Sequence, residues 1–454
     1  MLGFVLNILK EAFLPILYIG GFFVIIASII KRPEWGLYMR VAFISSPNVY
    51  YKLYDFPMGK DFLDFVFLSV FVGMLLNKKG FLKNVNSIVI TFFILISYLA
   101  LLNCSTRFNL PFPLTRENPL LEDWKNYAEM ICMYFLVVNV IKNDREEKTL
   151  VLIMTLMILI IVVRSYRDYS GGSSFNEESR YGGPFETVGL GPNHFGAFIA
   201  DYSAVLFGLF LIDKNKWRRW LYLAAVLFSL HSLFYSYSRG AYIAAFGVLV
   251  FFGLVRRRSL LIFVFAIYLA WQTILPASVV DRISMTRTET GELEKSAVIR
   301  LDLWNYAMDL YKENPIFGVG FGGFGLSVRD KTNYRDTHSL YMKMLSEQGI
   351  VGLGLLMVIF GMAFLSGWRL MKVGKTSFQK GLGLGFLGCV VAVMITNIFG
   401  ERWSYDCLGT YFWVFWALVD RGILISKAPD ESQNNPIKTP GASVLSKFSL
   451  KFFK

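Results

Sequence analysis

Apolar residues recur along this chain in uncharged runs of about 17 to 25 residues, separated by short polar or basic segments. Helices of this length cross the hydrocarbon core of a bilayer. The pattern therefore predicts an all-α polytopic membrane protein with about twelve transmembrane helices. The count is twelve or thirteen, because the short segment 36–48 carries Arg40 and is expected either to span or to insert halfway. The predicted spans are 12–30, 36–48, 62–76, 86–104, 124–141, 149–165, 194–212, 219–236, 240–255, 259–275, 339–368, 381–399 and 407–420.

One long polar segment, residues 276–337, interrupts this pattern. Within it, apolar residues recur at helical spacing, which predicts an amphipathic helix over 296–312 that lies against the membrane or the bundle. This stripe consists of Ala297, Leu301, Trp304, Met308 and Tyr311. The glycine-rich run 315–325 that follows is expected to be a flexible turn, or a place where the backbone passes close to another group.

The composition agrees with a membrane protein, because 55% of the residues are hydrophobic and the mean hydropathy is +0.48. A soluble fold would lack the polar residues needed to cover such a core. The net charge of +13 comes largely from short basic loops, which stay in the cytoplasm and bind anionic lipid, so no nucleic-acid partner is predicted. These loops contain Lys31, Arg32, Lys78, Lys79, Lys83, Lys214, Lys216, Arg218, Arg219, Arg256, Arg257, Arg258, Arg369, Lys372, Lys375 and Lys380.

With these loops inside, the alternation of spans places the segments 105–122, 166–192, 276–337 and 400–406 on the outer side. The chain thus divides into a transmembrane domain, residues 1–426, and a tail, residues 427–454. The tail is rich in Pro, Ser, Asn and Lys, and is expected to be a disordered, basic cytoplasmic segment.

The spacing of the cysteine and histidine residues does not indicate a particular chemistry. Cys104 and Cys407 are both predicted near the outer surface, where an oxidising compartment would allow a disulfide, although packing roles are the simpler interpretation. The sequence has no metal-ligand spacing, no phosphate-binding Gly-x-x-x-x-Gly-Lys loop and no serine nucleophile elbow. Neither a metal nor a cofactor is therefore predicted.

Three outward polar residues are candidates for a functional site, since ionisable groups at membrane depth are costly. Arg239 lies in the tight turn between two spans and either binds a phosphate or carboxylate or reaches to lipid headgroups. Arg300 lies beside the apolar stripe of the predicted loop helix. His338 lies at the start of a span and is either a proton acceptor or part of a helix cap, for which Thr337 is the better N-cap residue.

Further polar groups are secondary candidates. Arg402 and Glu401 lie in an outward cluster and pair with each other, with a substrate or in a surface salt bridge. Asn193 and His194 begin a span on the outer side, where His194 could line an acceptor site. Glu129 lies inside a predicted span without an evident partner.

Four segments together resemble the O-antigen ligase and polymerase superfamily of bacterial membrane glycosyltransferases. They are Ser-Arg-Gly at 238–240, Arg-Leu-Asp-Leu-Trp at 300–304, Asn-Pro-Ile-Phe-Gly-Val-Gly at 314–320, and the block from His-Ser-Leu-Tyr to Gly-Ile-Val-Gly-Leu at 338–353. The last block is the most specific. The number of spans and the large loop before the final helices fit the same family over the whole chain.

Two weaker matches lie outside this region. The segments Arg-Tyr-Gly-Gly-Pro-Phe at 180–185 and Gly-Pro-Asn-His at 191–194 resemble the stretch before a middle span of the family. Arg-Pro-Glu-Trp-Gly at 32–36 resembles its O-glycosylation ligase branch. Through these matches Arg180, Asn193 and His194 become possible substrate contacts, in addition to Arg402 from the outward cluster.

The resemblance implies a GT-C-like fold in the bacterial inner membrane with the active site facing the periplasm. It implies a metal-independent, inverting glycosyltransferase that moves a glycan from undecaprenyl diphosphate to an acceptor hydroxyl on a glycan, lipid A-core or a protein. Arg239 and Arg300 would hold the donor diphosphate, and His338 would be the catalytic base. A polymerase or a protein O-oligosaccharyltransferase of the same superfamily remains open, as does a flippase for lipid-linked glycan.

Overall fold

The computed structural model describes residues 2–77, 82–169, 174–285 and 295–427, and their regular secondary structure is entirely helical. The α-helices are α1 (Leu2–Ile30), α2 (Pro33–Ile44), α3 (Pro47–Tyr50), α4 (Phe62–Leu76), α5 (Val85–Arg107), α6 (Leu121–Val140), α7 (Asp144–Asp168), α8 (Pro192–Ile212), α9 (Lys216–Tyr235), α10 (Arg239–Val255), α11 (Ser259–Ile274), α12 (Ala277–Ser284), α13 (Lys295–Glu313), α14 (Gly323–Val328), α15 (Leu340–Val373), α16 (Ser377–Thr396) and α17 (Asp406–Lys427). The predicted tail lies outside the described residues apart from Lys427, and so do Lys78 and Lys79.

Every predicted span overlaps a helix, and 36–48 overlaps two, α2 and α3, but fewer helices are long and apolar enough to cross a bilayer unaided. Among the described residues seven are: α1, α5, α7, α8, α15, α16 and α17. The pair α11 and α12, bent by 103°, would add an eighth, while α10 is apolar but shorter. The all-helical, multi-pass membrane fold is thus confirmed, whereas the total of about twelve spans stays a prediction. Helices such as α4, with 15 residues, would need their neighbours to complete a crossing.

The centre of the bundle is α17, whose Trp413 and Trp416 are fully buried and stack with ring centroids 5.6 Å apart. It packs against α6 and α15, while α8 lies along α16. At the periphery, α11 exposes Ile262 and Tyr268, as a lipid-facing helix does. The apolar surface of the outer helices therefore faces the membrane, and the polar groups are gathered elsewhere.

Two ionisable residues inside the bundle form a pair. Arg40 of α2 lies 2.8 Å from Glu129 of α6, and both side chains are buried. The Arg40 guanidinium also donates to the carbonyl of Leu63. This contact identifies the partner that the sequence left undefined for Glu129, and it explains how α2 can carry an arginine, because a buried charge is tolerated when it is paired.

The segments predicted to face outward meet at one end of the bundle. Arg107, at the end of α5, donates from Nη1 to Asn314 Oδ1 at 2.7 Å, which joins it to the long polar segment. The linker between α16 and α17 reaches the beginning of α8, where the ring of Tyr405 packs edge-on against His194 with centroids 5.4 Å apart. The segment after α7 reaches the same end.

The helix α15 is broken at Gly349, and backbone groups of the glycine-rich run 315–325 form hydrogen bonds with residues on both sides of the break. Gly349 has φ +63° and ψ −161°, a conformation open essentially only to glycine. The backbone amides of Val319 and Gly320 donate to the carbonyls of Ser346 and Glu347, at 2.9 and 2.8 Å. On the other side of the break the amide of Ile350 donates to Pro315 at 2.9 Å. Orphaned backbone groups are thereby satisfied, as they must be at membrane depth.

The expectation of a flexible turn at 315–325 was therefore wrong, and close backbone approach was the correct alternative. The group approached is the protein's own chain. Gly320, at φ +98°, also lies so close to the end of α5 that a Cβ would overlap the Cys104 backbone. Cys104 and Cys407 are both buried and free, so the disulfide considered above is not formed.

Replacing Gly349 with alanine should lower the free energy of unfolding by about 1 to 3 kcal/mol. The new Cβ would meet the carbonyl of Ile316, in a backbone conformation that alanine avoids. The measurement is the thermal unfolding midpoint of the purified protein in detergent. Gly354→Ala is the matched control, because no heavy atom lies within 4 Å of a Cβ at that position on the same helix. Equal midpoints for the two variants would contradict the role given to the break.

The predicted loop helix is present as α13, but its buried face differs from the predicted stripe. The buried residues are Leu303 and Ala307, packed against Phe324 and Val328 of α14. Leu301 of the predicted stripe is 45% exposed. The reason is that α13 packs on α14 and α15, which set its inward face. Arg300 precedes Leu303 and Ala307 by three and seven residues and therefore shares this inward face.

Candidate active site

The turn between α9 and α10 is held in an unusual conformation by buried hydrogen bonds. Tyr237 has φ +50°, which is rare for a residue other than glycine. Its hydroxyl is 2.9 Å from the hydroxyl of Tyr169 and donates to Ser278 Oγ at 3.0 Å. Strained residues of this kind cluster at functional sites. The turn delivers Arg239 as the first residue of α10, half-buried beside Tyr237.

Arg180 fastens this turn to the beginning of α8. Its Nη2 donates to Asn193 Oδ1 at 2.8 Å and to the carbonyl of Ser236 at 3.2 Å, and its Nε donates to the same carbonyl at 3.3 Å. Glu177 lies 3.9 Å from its Nη1. Arg180 and Asn193 therefore have a defined structural role, which is to connect the segment after α7, the start of α8 and the turn that carries Arg239.

Arg402 is buried in the linker between α16 and α17. Its Nη1 donates to the carbonyl of Thr396 at 2.6 Å and its Nη2 to that of Phe399 at 3.2 Å. A Cβ on Gly240, the residue after Arg239, would be 3.6 Å from Arg402 Nη1, so this guanidinium lies directly beside the start of α10. Of the alternatives for Arg402, the surface salt bridge was wrong, since Arg402 is only 4% exposed and donates to backbone carbonyls.

Positive charges converge on Arg402. Burial, together with the charges of Arg300 and Arg180, lowers the pKa of its guanidinium to about 10, against the opposing charges of Asp201 and Asp336. Arg300 therefore reaches this site from α13. Arg180, Arg300 and Arg402, with Arg239 next to them, thus share one end of the bundle.

The helix that carries Arg300 is anchored to the segment that carries the histidine. One turn after Arg300, Trp304 donates from Nε1 to the carbonyl of Thr337 at 3.1 Å. Thr337 is not the N-cap of α15, because that position is Ser339, whose side chain makes no capping hydrogen bond. Thr337 Oγ1 donates to the carbonyl of Ser339 at 2.6 Å, within the turn itself.

His338 forms a dyad with Asp336. Its Nδ1 and its backbone amide both lie against Asp336 Oδ1, at 2.8 and 2.6 Å. Burial would raise the pKa of this carboxyl, but the hydrogen bonds from His338 and the charges of His338 and Lys343 hold it below its ordinary value. His338 has φ +50° and its side chain is 37% exposed, so the strained turn presents the ring at an accessible position.

The dyad has a defined chemical capacity. When Nδ1–H donates to the carboxylate, Nε2 of the neutral imidazole carries a lone pair and can accept a proton. The carboxylate then stabilises the imidazolium that forms, as the aspartate does in other Asp–His pairs. Sequence reasoning singled out His338 and missed Asp336. A local signal was present. In an Asx turn, the aspartate side chain accepts a hydrogen bond from the backbone amide two residues later, and Asp336 precedes His338 by two residues.

His194 lies between these groups. Arg402, Asp336 and His338 are all within electrostatic reach of its ring, which packs on Tyr405. Its Nδ1 is buried without a hydrogen-bond partner in the part of the chain that the structure describes. His194 and His338, which the sequence placed on different segments, therefore lie within electrostatic reach of each other.

Glu401 does not pair with Arg402. Its carboxylate forms a buried ion pair with Lys343 of α15. Burial raises the pKa of Glu401 to about 7, although the charge of Lys343 opposes the shift. Sequence reasoning did not identify Lys343 as its partner. This pair ties α15 to the same linker that carries Arg402.

All seven candidate residues from the sequence thus lie at one end of the bundle. The hydrogen bonds and electrostatic interactions above connect Arg180, Asn193, His194, Arg300, His338 and Arg402, and Arg239 lies beside Gly240 at the same site. Within the described ranges no three His, Cys, Asp or Glu side chains are grouped as a metal site requires. Metal independence nevertheless stays a prediction.

A protein-family model matches part of the chain. Residues 224–357 match the model of a family described as O-antigen ligase. The matched region begins in α9 and ends in the second half of α15, so it contains Arg239, Arg300 and His338. The comparison with curated proteins gave no match. The family match confirms the resemblance to the O-antigen ligase and polymerase superfamily that the sequence motifs indicated.

Proposed function

We propose, from the O-antigen ligase domain over residues 224–357, that this membrane protein transfers a glycan from undecaprenyl diphosphate to an acceptor hydroxyl. The reaction would take place at the periplasmic face of the bacterial inner membrane. The family match indicates a membrane glycosyltransferase of the O-antigen ligase or polymerase type. The donor, the stereochemistry and the location are parts of the proposal.

The observation that carries this proposal is the convergence of arginines beside an Asp–His dyad. Burial lowers the pKa of Arg402, and the positive charges of Arg300 and Arg180 lower it further, so like charges repel at this site. An anionic ligand would relieve that repulsion. A diphosphate is well matched to guanidinium groups, which bind phosphate oxygens through paired hydrogen bonds.

The contacts of the four arginines at this site indicate two different roles. Arg180 and Arg402 are occupied by backbone carbonyls and Asn193, so they position the turn and the linker. Arg239 and Arg300, at the start of α10 and on the inward face of α13, are proposed to bind the diphosphate. His194 would lie on the acceptor side, next to the dyad.

The chemistry follows from these positions. The acceptor oxygen attacks the anomeric carbon while the bond from that carbon to the phosphate oxygen breaks. The hydroxyl proton passes to Nε2 of His338, and undecaprenyl diphosphate leaves with its negative charge met by the arginines. Attack from the side opposite to the leaving group inverts the anomeric centre. The site supplies charge stabilisation and one base, and these suffice for a leaving group that is already good.

Two other activities are compatible with the superfamily. A polymerase or a protein O-oligosaccharyltransferase would use the same site and differ only in what carries the attacking hydroxyl: a glycan, lipid A-core or a protein.

A flippase would require cationic groups along a path through the bundle. Two buried arginines away from the site are instead paired, Arg40 with Glu129 and Arg218 with Asp213. This favours an enzyme.

The test is direct transfer by the purified protein. Wild-type protein supplied with glycan-linked undecaprenyl diphosphate and an acceptor preparation should release undecaprenyl diphosphate and form a glycosylated acceptor, in the presence of excess chelator as well as without it. Mass spectrometry of both products is the measurement. The proposed activity would be refuted if the donor stayed intact with all three kinds of acceptor: glycan, lipid A-core and protein.

A further inference from the structure

A second feature at this end of the bundle is a cavity of about 490 Å³. Its walls come from the segment between α2 and α4, the start of α6, the turn before α8 and the start of α17. A volume of this size is typical of sites for small organic ligands, which range over about 300–1,000 Å³. Lys60 and Glu122, on its wall, are each 66% exposed, so the cavity opens to the surroundings at this end.

The wall of the cavity is aromatic on one side. Tyr50, Tyr51 and Tyr54 form a ladder, with ring centroids 5.1 Å apart for the first pair and 4.6 Å for the stacked second pair. Tyr54 is 38% exposed and is the outermost ring. Exposed tyrosine rings offer an apolar face with a polar edge, and such surfaces stack on the C–H faces of sugars.

The charges of the cavity exclude an anionic ligand. Five carboxylates and three cationic side chains line it. Each cation is engaged by a carboxylate: Arg40 by Glu129, Lys125 by Asp64, and Lys60 by Glu122 at 3.9 Å. Phosphate or uronate would therefore meet a surface on which carboxylates outnumber cations and each cation already faces a carboxylate. The arginine site has the opposite charge, so the two sites suit different parts of one substrate.

The cavity lies next to the candidate active site, and Tyr405 contacts both. Tyr405 lines the cavity and packs on His194, which is within electrostatic reach of His338. Leu190 also lines it, three residues before Asn193. A saccharide bound in the cavity would therefore lie beside the residues of the candidate active site.

We infer that this cavity binds a neutral or amine-bearing saccharide. The inference rests on the proposed function for its role in turnover, because the saccharide would belong either to the donor glycan or to the acceptor. The binding itself requires no transfer reaction. The cavity selects against acidic sugars by its carboxylates and holds its ligand by stacking on Tyr54.

The probes are three trisaccharides that differ in charge: chitotriose, its fully deacetylated amine form, and trigalacturonate. Saturation-transfer NMR with the purified full chain should show binding of the first two and none of the third. Tyr54→Ala should weaken the binding of chitotriose about three- to tenfold, the loss expected for one stacked ring. Tyr54→Phe should bind as wild type does, because the ring is kept.

Two matched variants control for general effects. Tyr268→Ala removes a tyrosine that is 67% exposed on α11, away from the cavity, and should leave binding unchanged. Glu122→Lys, at an exposed position on the cavity wall, should weaken the amine form more than chitotriose. Binding of trigalacturonate as strong as that of chitotriose, the absence of binding by both uncharged and amine forms, or an unaffected Tyr54→Ala would each overturn the inference.

The transfer assay separates the two sources of saccharide. In Tyr54→Ala, a raised KM for the donor assigns the cavity to the donor glycan, and a raised KM for the acceptor assigns it to the acceptor. Unchanged KM values for both would refute a role in turnover. Since trisaccharide binding is measured without transfer, failure of the saccharide site and failure of the proposed enzymatic activity give different results.

Discussion

Replacing His338 with alanine should lower the turnover number for glycan transfer by about 100- to 10,000-fold, the contribution of one positioned general base. The imidazole is held by Asp336 through Nδ1 at 2.8 Å, which leaves Nε2 to accept the hydroxyl proton. The arginine site is untouched by the substitution, so the affinity for the donor should stay as in the wild type. Single-turnover kinetics together with donor binding measure the two effects separately.

His231→Ala is the matched control. That histidine lies on α9 among the rings of Tyr166 and Tyr235 and shares no contact with the dyad. Its loss should leave turnover near the wild-type value. Asp336→Asn should have an intermediate effect, because the amide oxygen still accepts the two hydrogen bonds but the charge that stabilises imidazolium is gone. A His338→Ala variant with wild-type turnover would remove the base from the mechanism.

Replacing Arg300 or Arg239 with alanine should weaken donor binding by about 10- to 100-fold each, the value of charge-assisted hydrogen bonds to phosphate. Turnover at saturating donor should fall as well, because the leaving group gains charge as the bond breaks. The measurement is binding of undecaprenyl diphosphate to the purified variants, with transfer rates determined at several donor concentrations. The two substitutions should not add simply, since both remove contacts to one ligand.

Arg329→Ala is the control for loss of positive charge in the same polar segment. Its side chain is 74% exposed, and its nearest carboxylate is Asp330 at 3.9 Å. The affinity for undecaprenyl diphosphate should not change. Equal weakening by Arg329→Ala and Arg300→Ala would mean that long-range charge, and not a bound guanidinium, attracts the donor. Arg300→Lys should recover only part of the affinity, because an ammonium lacks the planar fork.

The helices themselves could be predicted closely from the sequence. The predicted span 62–76 coincides with α4, and the predicted loop helix 296–312 differs from α13 by one residue at each end. The physical reason is that a membrane helix satisfies its backbone within itself, so its limits follow from local hydropathy. Hydropathy does not say how neighbours share a crossing, and the number of spans accordingly remains open.

Contacts between distant segments could not be predicted in this way. Glu129 gave no hint that its partner would be Arg40, because nothing in either segment specifies which helices become neighbours. The inward face of α13 was misjudged for the same reason. The candidate site was more accessible to sequence reasoning, since chemically costly residues such as Arg300 and His338 are few. Sequence reasoning missed Asp336, although its partner His338 is only two residues away and their contact depends only on the local turn geometry.

The broken helix α15 has a consequence for exchanging parts between related proteins. Residues 315–320 supply the backbone partners of residues 346–351, so the two stretches behave as one structural module although 25 residues separate them. A chimera that receives a foreign polar segment should therefore take the helix break from the same parent. Transplanting one half alone would leave carbonyls such as that of Ser346 unsatisfied at membrane depth. In this architecture, an exchange of substrate specificity between related proteins therefore requires a unit larger than the loop.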